Sequence, residues 1–226
     1  MQKELEFLLK KYSVGKEAVL NGTTAVIVNG KAYPLLPWRG ERRFIELRNL
    51  IREGAIHGIS VMRTLRIVKK GSDLYKELYR ELDLAQYILG TEITEIFAVG
   101  DLAYALNIIA KCREGCLCTF ELSATLGENA PVIDKHEIIA KSGVACDRAA
   151  DTLIPQNSIY VYGEKEAVYT DVDAELFGLS IEACAVVRSA FAIVKSAEDL
   201  SGQAAALEKL IDCTKRSLQC VENVLV

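Results

Sequence analysis

Lys76 and Arg80 stand four residues apart in the stretch SDLYKELYRELDLAQYILG, residues 72–90. Leu74, Leu78, Leu82 and Ala85 recur along it at helical spacing, so the two cations lie one turn apart on one side of a helix. A positive pair of this kind, with Glu81 beside it, suits a small polar or anionic ligand such as a carboxylate. A solvated helix face is the simpler reading, because Glu77 and Glu81 supply carboxylates on neighbouring turns. Lys76, Arg80 and Glu81 are the candidate ligand-binding residues. Neither cation is a ready general base. Arginine stays protonated, and lysine serves only when its pKa is strongly lowered.

The other chemistry-bearing residues read more plainly. Cys112, Cys116 and Cys118 sit on either side of the short turn at Arg113-Glu114-Gly115. Structural zinc sites want four ligands, commonly in paired spacings. No fourth ligand lies near these three in sequence. Free cysteine is also a common buried apolar residue, so core thiols and no metal are expected. The two histidines, His57 and His136, fall before a strand and at the start of one. Both are expected to be structural or surface residues. No nucleophile, base and orienting acid come in a triad order. The basic run RGERR, 39–43, is most simply the exposed entry to a helix. Tyr33, Trp38 and the tyrosines of SIYVYGEKEAVYTD are more simply cross-strand pairs than a ligand box.

Composition bounds the setting of these residues. The 226-residue chain is half apolar with a formal net charge of -4, so it can bury a sizeable core and has no basic signature for nucleic acid. No window approaches the roughly 20 apolar residues that span a membrane. The first residues, MQKELEFLLKKYSVGKEAVLNG, have no secretory pattern. With seven cysteines this suggests free thiols in a reducing cytoplasm.

The elements that must position these side chains follow from periodicity and turn residues. A helix is predicted over 3–20, then two β-prone runs around Asn29-Gly30, a strong hairpin signal. Phe44, Leu47, Leu50 and Ile51 line a second helix that Gly54 can end. A long strand covers 57–71. Ser72 is the predicted N-cap of the helix bearing Lys76 and Arg80, and Gly90 closes it. Strand-rich segments follow, with a turn at Ser142-Gly143 and a hairpin around Gly163-Glu164-Lys165. Helices over 173–196 and 199–224 end the chain. The fold class is α+β: one largely antiparallel open sheet with helices on one face. The second face needs a cover, and a dimer partner is the economical one.

The order of these pieces resembles the C-terminal domain of the glucose-fructose oxidoreductase and inositol dehydrogenase family, Gfo/Idh/MocA. RRFIELRNLIREGAIHGI, ELDLAQYILG, LCTFELSATL and CTKRSLQCVENV carry the likeness, over about residues 36–226. The resemblance implies a single α+β domain over 1–226, with 1–35 as an N-terminal helix and hairpin extension. It also implies a homodimer formed through the open sheet. In that family an N-terminal Rossmann domain binds NAD or NADP, and a histidine on the helix of the second motif is the expected proton-transfer group. Two departures bear on function. No G-x-G-x-x-G turn and no E-K-P motif occurs in the 226 residues, so no cofactor is expected on this chain. Aligning the second motif puts Arg80 at the histidine position and Lys76 at that of its partner Asp, while Asp83 matches. The expectation is an oxidoreductase-like protein that is non-catalytic by itself. The alternatives are a substrate-binding subunit of a split NAD(P)-dependent oxidoreductase, with its Rossmann domain on a partner chain, and a regulatory partner of a full-length dehydrogenase.

Overall fold

In the computed structural model the described residues are 1–147, 158–163, 167–196 and 199–226. The elements in chain order begin with Gln2–Lys11 (α1), Ala18–Asn21 (β1), Ala25–Val28 (β2), Lys31–Pro34 (β3), a 3-10 turn at Pro37–Gly40, and Arg42–Arg52 (α2). There follow Ile59–Lys69 (β4), Leu74–Leu89 (α3), Ile93–Asp101 (β5), Ala105–Cys112 (β6), Leu117–Leu126 (β7), Ile133–Ala140 (β8) and Gly143–Cys146 (β9). The chain ends with Ser158–Gly163 (β10), Ala167–Thr170 (β11), Asp173–Phe177 (α4), Ile181–Ser196 (α5), Gln203–Cys220 (α6) and Val224–Leu225 (β12). The architecture is α+β, as the periodicity predicts. It divides into two compact units, Met1–Ile45 with Asp171–Ala206, and Glu46–Thr170 with Leu207–Val226.

In the first unit α1 buries Leu5 and Leu9 and packs on α5. The helix predicted over 3–20 stops at Lys11, and Ala18 instead opens β1, which pairs with β2. Asn29 and Gly30, at φ 50° and 79°, make the β2–β3 hairpin by adopting the left-handed region that such tight turns need. The 3-10 turn lies directly on α5. A Cβ on Gly40 would fall 2.0 Å from the carbonyl oxygen of Ala185, so only glycine fits there. The single helix predicted over 173–196 is two helices, because Gly178 ends α4 at φ 61°.

The second unit is built on a nine-stranded sheet of order β11-β10-β9-β8-β4-β7-β6-β5-β12. Central β4 pairs antiparallel with β8 and parallel with β7, so the sheet is mixed although largely antiparallel. Alternation along each strand buries Met62 and Thr64, Cys118 and Phe120, Ile108 and Ala110, and Ile96 and Ala98. Helix α3 packs on β4 and β7. On the other parity Val99, Ile109 and Leu117 remain exposed. The N-cap of α3 is Asp73, one residue later than the predicted Ser72; its carboxylate accepts from the Tyr75 N–H at 3.0 Å. Gly90 closes the helix at φ 68°. The last predicted helix starts at Gln203 and stops at Cys220, and the chain then adds β12 to the β5 edge. The turn residues Glu164 and Lys165 lie outside the described residues.

Candidate functional site

Helix α3 does not hold Lys76, Arg80 and Glu81 together. The Lys76 side chain is 81% exposed, with Nζ 3.9 Å from Asp73. Arg80 and Glu81 are buried. The helix face that meets the sheet carries Glu77 and Glu81, one turn apart, and the long Arg80 side chain joins them there.

Strands β4 and β8, with Asp147 just past the end of β9, complete a buried ion network around Glu81. Arg66 of β4 donates from Nη1 to Asp134 at 2.7 Å and from Nε to Glu77. Arg80 donates to Glu81 through Nη1 and to Asp134 through Nη2 at 3.2 Å. His136 of β8 has no exposed surface. Its Nε2 lies 2.8 Å from Glu81 Oε2 and its Nδ1 lies 2.8 Å from Asp147 Oδ2. Its backbone N–H also donates to Asp147 Oδ1, at 2.7 Å. His136 is thus a mid-strand core residue between two carboxylates, not a surface one.

Electrostatics fixes the protonation states. Burial disfavours a charged imidazole, but Glu81, Asp147 and Asp134 outweigh it and push His136 up to about 9. Burial likewise raises the Glu81 pKa, yet the Arg80 and His136 charges carry it below its ordinary value. The pair is a carboxylate and an imidazolium. With both ring nitrogens donating, His136 has no lone pair for proton abstraction near neutral pH. The ligand atoms of Glu81, Asp134 and His136 lie within 4.8 Å of one another. The Arg66 and Arg80 guanidiniums both reach Asp134 Oδ2, so these three side chains stand within an ion network.

The cysteines form a second buried cluster. Cys112 and Cys118 approach to 3.6 Å between sulfurs, and all three thiols at the β6–β7 turn are buried. Contact with Cys116 favours the Cys112 thiolate, but the Cys118 thiol and burial outweigh it and push Cys112 up to about 12. Cys112 and burial push Cys116 up as well. Buried in this way, they are protonated core thiols.

Sequence reasoning missed Arg66, Asp134 and Asp147. A signal for two of them was present. Asp134 and His136, like Thr64 and Arg66, are two apart on a strand and share a face. What the sequence lacked was the pairing of Thr64 with His136 that sets these faces side by side.

No protein-family model matches the chain, and no curated protein matches it. Solved structures do. An oxidoreductase domain protein from Kribbella flavida superposes with TM-score 0.65 at 14% identity, covering 84% of this chain and 65% of that one. Aldose-aldose oxidoreductase from Caulobacter crescentus gives 0.63 at 14%, covering 84% and 62%. Scyllo-inositol dehydrogenase from Lactobacillus casei gives 0.59 at 14%, covering 84% and 61%. This is the fold of Gfo/Idh/MocA-type oxidoreductases, as the sequence resemblance implied. The chain spans less than two thirds of the length of these three solved chains. A levoglucosan dehydrogenase of the same fold was solved with NADH and levoglucosan. The described residues of this chain hold no βαβ unit opening on a glycine-rich turn, the element that cradles the pyrophosphate in a Rossmann domain. No helix among the described residues is long and apolar enough to cross a membrane.

Proposed function

We propose that these residues form a non-catalytic, dimerising domain of the Gfo/Idh/MocA-type fold, with any dinucleotide chemistry supplied by another domain or chain. One observation carries the reading. Arg80 stands where the resemblance puts the proton-transferring histidine, and it is tied to Glu81 and Asp134 inside the protein. A guanidinium so held neither takes a proton nor reaches out to a substrate. His136, the one histidine of the network, is held charged between two acids.

The test is thermal unfolding of the purified chain with NAD⁺, NADH, NADP⁺ and NADPH in turn. A ligand that binds only the folded state raises the midpoint by mass action. The expected result is an unchanged midpoint with all four, and a clear rise with any of them would overturn the reading. A second reading, a substrate-binding subunit of a split dehydrogenase, draws support from the fold, which a levoglucosan dehydrogenase solved with NADH and levoglucosan shares. It expects a separate polypeptide with a glycine-rich dinucleotide turn to co-purify with this chain.

A further inference from the structure

The first unit contains a cavity of about 340 Å³ that shares no residue with the network beneath α3. That volume falls within the range of small-molecule sites. Leu8 of α1, Phe177 of α4, and Val187 and Phe191 of α5 give it an apolar body. Tyr12 packs against Phe191 with ring centroids 5.3 Å apart and lines the same space.

Arg42, Arg188 and Lys195 line it together with Asp173. Arg42 acts on Asp171, the neighbouring acid, whose pKa it helps to lower. Arg188 is committed elsewhere. Its Nη2 lies 2.7 Å from Asp171 and 2.5 Å from Asp173, its Nη1 lies 3.0 Å from Asp171, and its Nε lies 3.2 Å from Asp173. Arg188 and its two carboxylates therefore form a rigid wall, and Arg188 also reaches the Gly40 carbonyl. Lys195 is different. It is exposed at the end of α5, pairs with no carboxylate among the described residues, and sits 5.9 Å from the Tyr12 ring. Lys11 lies 5.6 Å from the same ring. The rim is cationic and the interior is apolar.

We propose that this cavity binds a small amphipathic monocarboxylate, with its apolar body between α1, α4 and α5 and its carboxylate toward Lys195. The apolar wall supplies affinity by burying hydrocarbon, and the cations select the head group. A cationic amphiphile of the same body meets a repelling rim. A short carboxylate finds the cations but gains nothing from the wall.

The experiment is isothermal titration of the full chain with octanoate, octylamine and acetate. Octanoate is expected to bind about tenfold or more tightly than either of the others, and Lys195→Glu to weaken it by about the same factor. Lys195 is exposed, so this variant keeps the fold. A second variant, Ala192→Trp, places a ring in the lining and is expected to abolish octanoate binding while far-UV circular dichroism stays unchanged. Octylamine binding as tightly as octanoate would overturn the proposal. So would octanoate binding that neither variant changes, or no octanoate binding at millimolar concentration.

Discussion

At the level of single residues, the network under α3 couples stability to pH from two sides. His136 has a folded pKa of about 9, above its ordinary value of about 6.5. The folded state therefore binds its proton more tightly. The resulting stability is fully present below about pH 6.5 and is lost as pH rises through about 9, on the order of 3 kcal/mol in all. Glu81 works in the opposite sense. Its folded pKa is lowered, so its contribution is present above the ordinary carboxylate range and is lost as pH falls below it. Urea unfolding at about pH 6 and about pH 9.5 is expected to give clearly lower stability at the higher pH. His136→Gln is expected to abolish this alkaline slope. It also takes a counter-ion from buried Glu81 and Asp147, a loss of about 3–5 kcal/mol at neutral pH. A variant with an unchanged alkaline slope would mean that His136 is neutral in the folded protein.

At the level of elements, local signals were legible and long-range ones were not. The hairpin at Asn29-Gly30, the end of α3 at Gly90 and the alternation along β6 and β7 could be read directly, because each depends on neighbours in sequence. The parallel pairing of β4 with β7 could not, since about fifty residues separate the partners and alternation says nothing of direction. For the same reason the site was only partly legible: Arg80 and Glu81 stood out on α3, while their partners come from β8 and beyond. The cap of α3 was misplaced by one residue because Ser72 and Asp73 are both good caps, and only the geometry chooses. Asp73→Ala is therefore expected to cost about 1 kcal/mol in thermal or urea unfolding, and Ser72→Ala close to nothing. Equal losses would refute the assignment of Asp73. In the first unit, Gly40→Ala forces a methyl against the α5 backbone at Ala185, an overpacking cost of about 1–3 kcal/mol by the same measurement.

At the level of the whole molecule, the sheet of the second unit poses the question of what meets its open face. Cross-strand partners share a face, so Phe97, Ile109 and Thr119 form one row, with Val99 beside Asn107 and Leu117 beside Lys111 on the rows either side. Ile109 is 48% exposed, Val99 39% and Leu117 40%. Apolar residues scattered singly need no explanation, but here they line up on one face among Asn107, Lys111 and Glu121. Mixed apolar and polar surface of that kind is ordinary for a protein interface. A stable homodimer needs about 800 Å² from each partner, and a face several strands wide supplies it. Two-fold symmetry puts the same patch of both copies into the contact, so one substitution acts twice. Ile109→Glu, in the central row, sets two carboxylates into the contact and is expected to convert a dimer to a monomer in light scattering after gel filtration. Its side chain is half exposed in the single chain, so circular dichroism should stay unchanged. Leu176→Glu, on α4 and 74% exposed, is the matched control and is expected to leave the dimer intact. If the unaltered chain already runs as a monomer at tens of micromolar, or if Ile109→Glu leaves a dimer, this face is not the dimer interface.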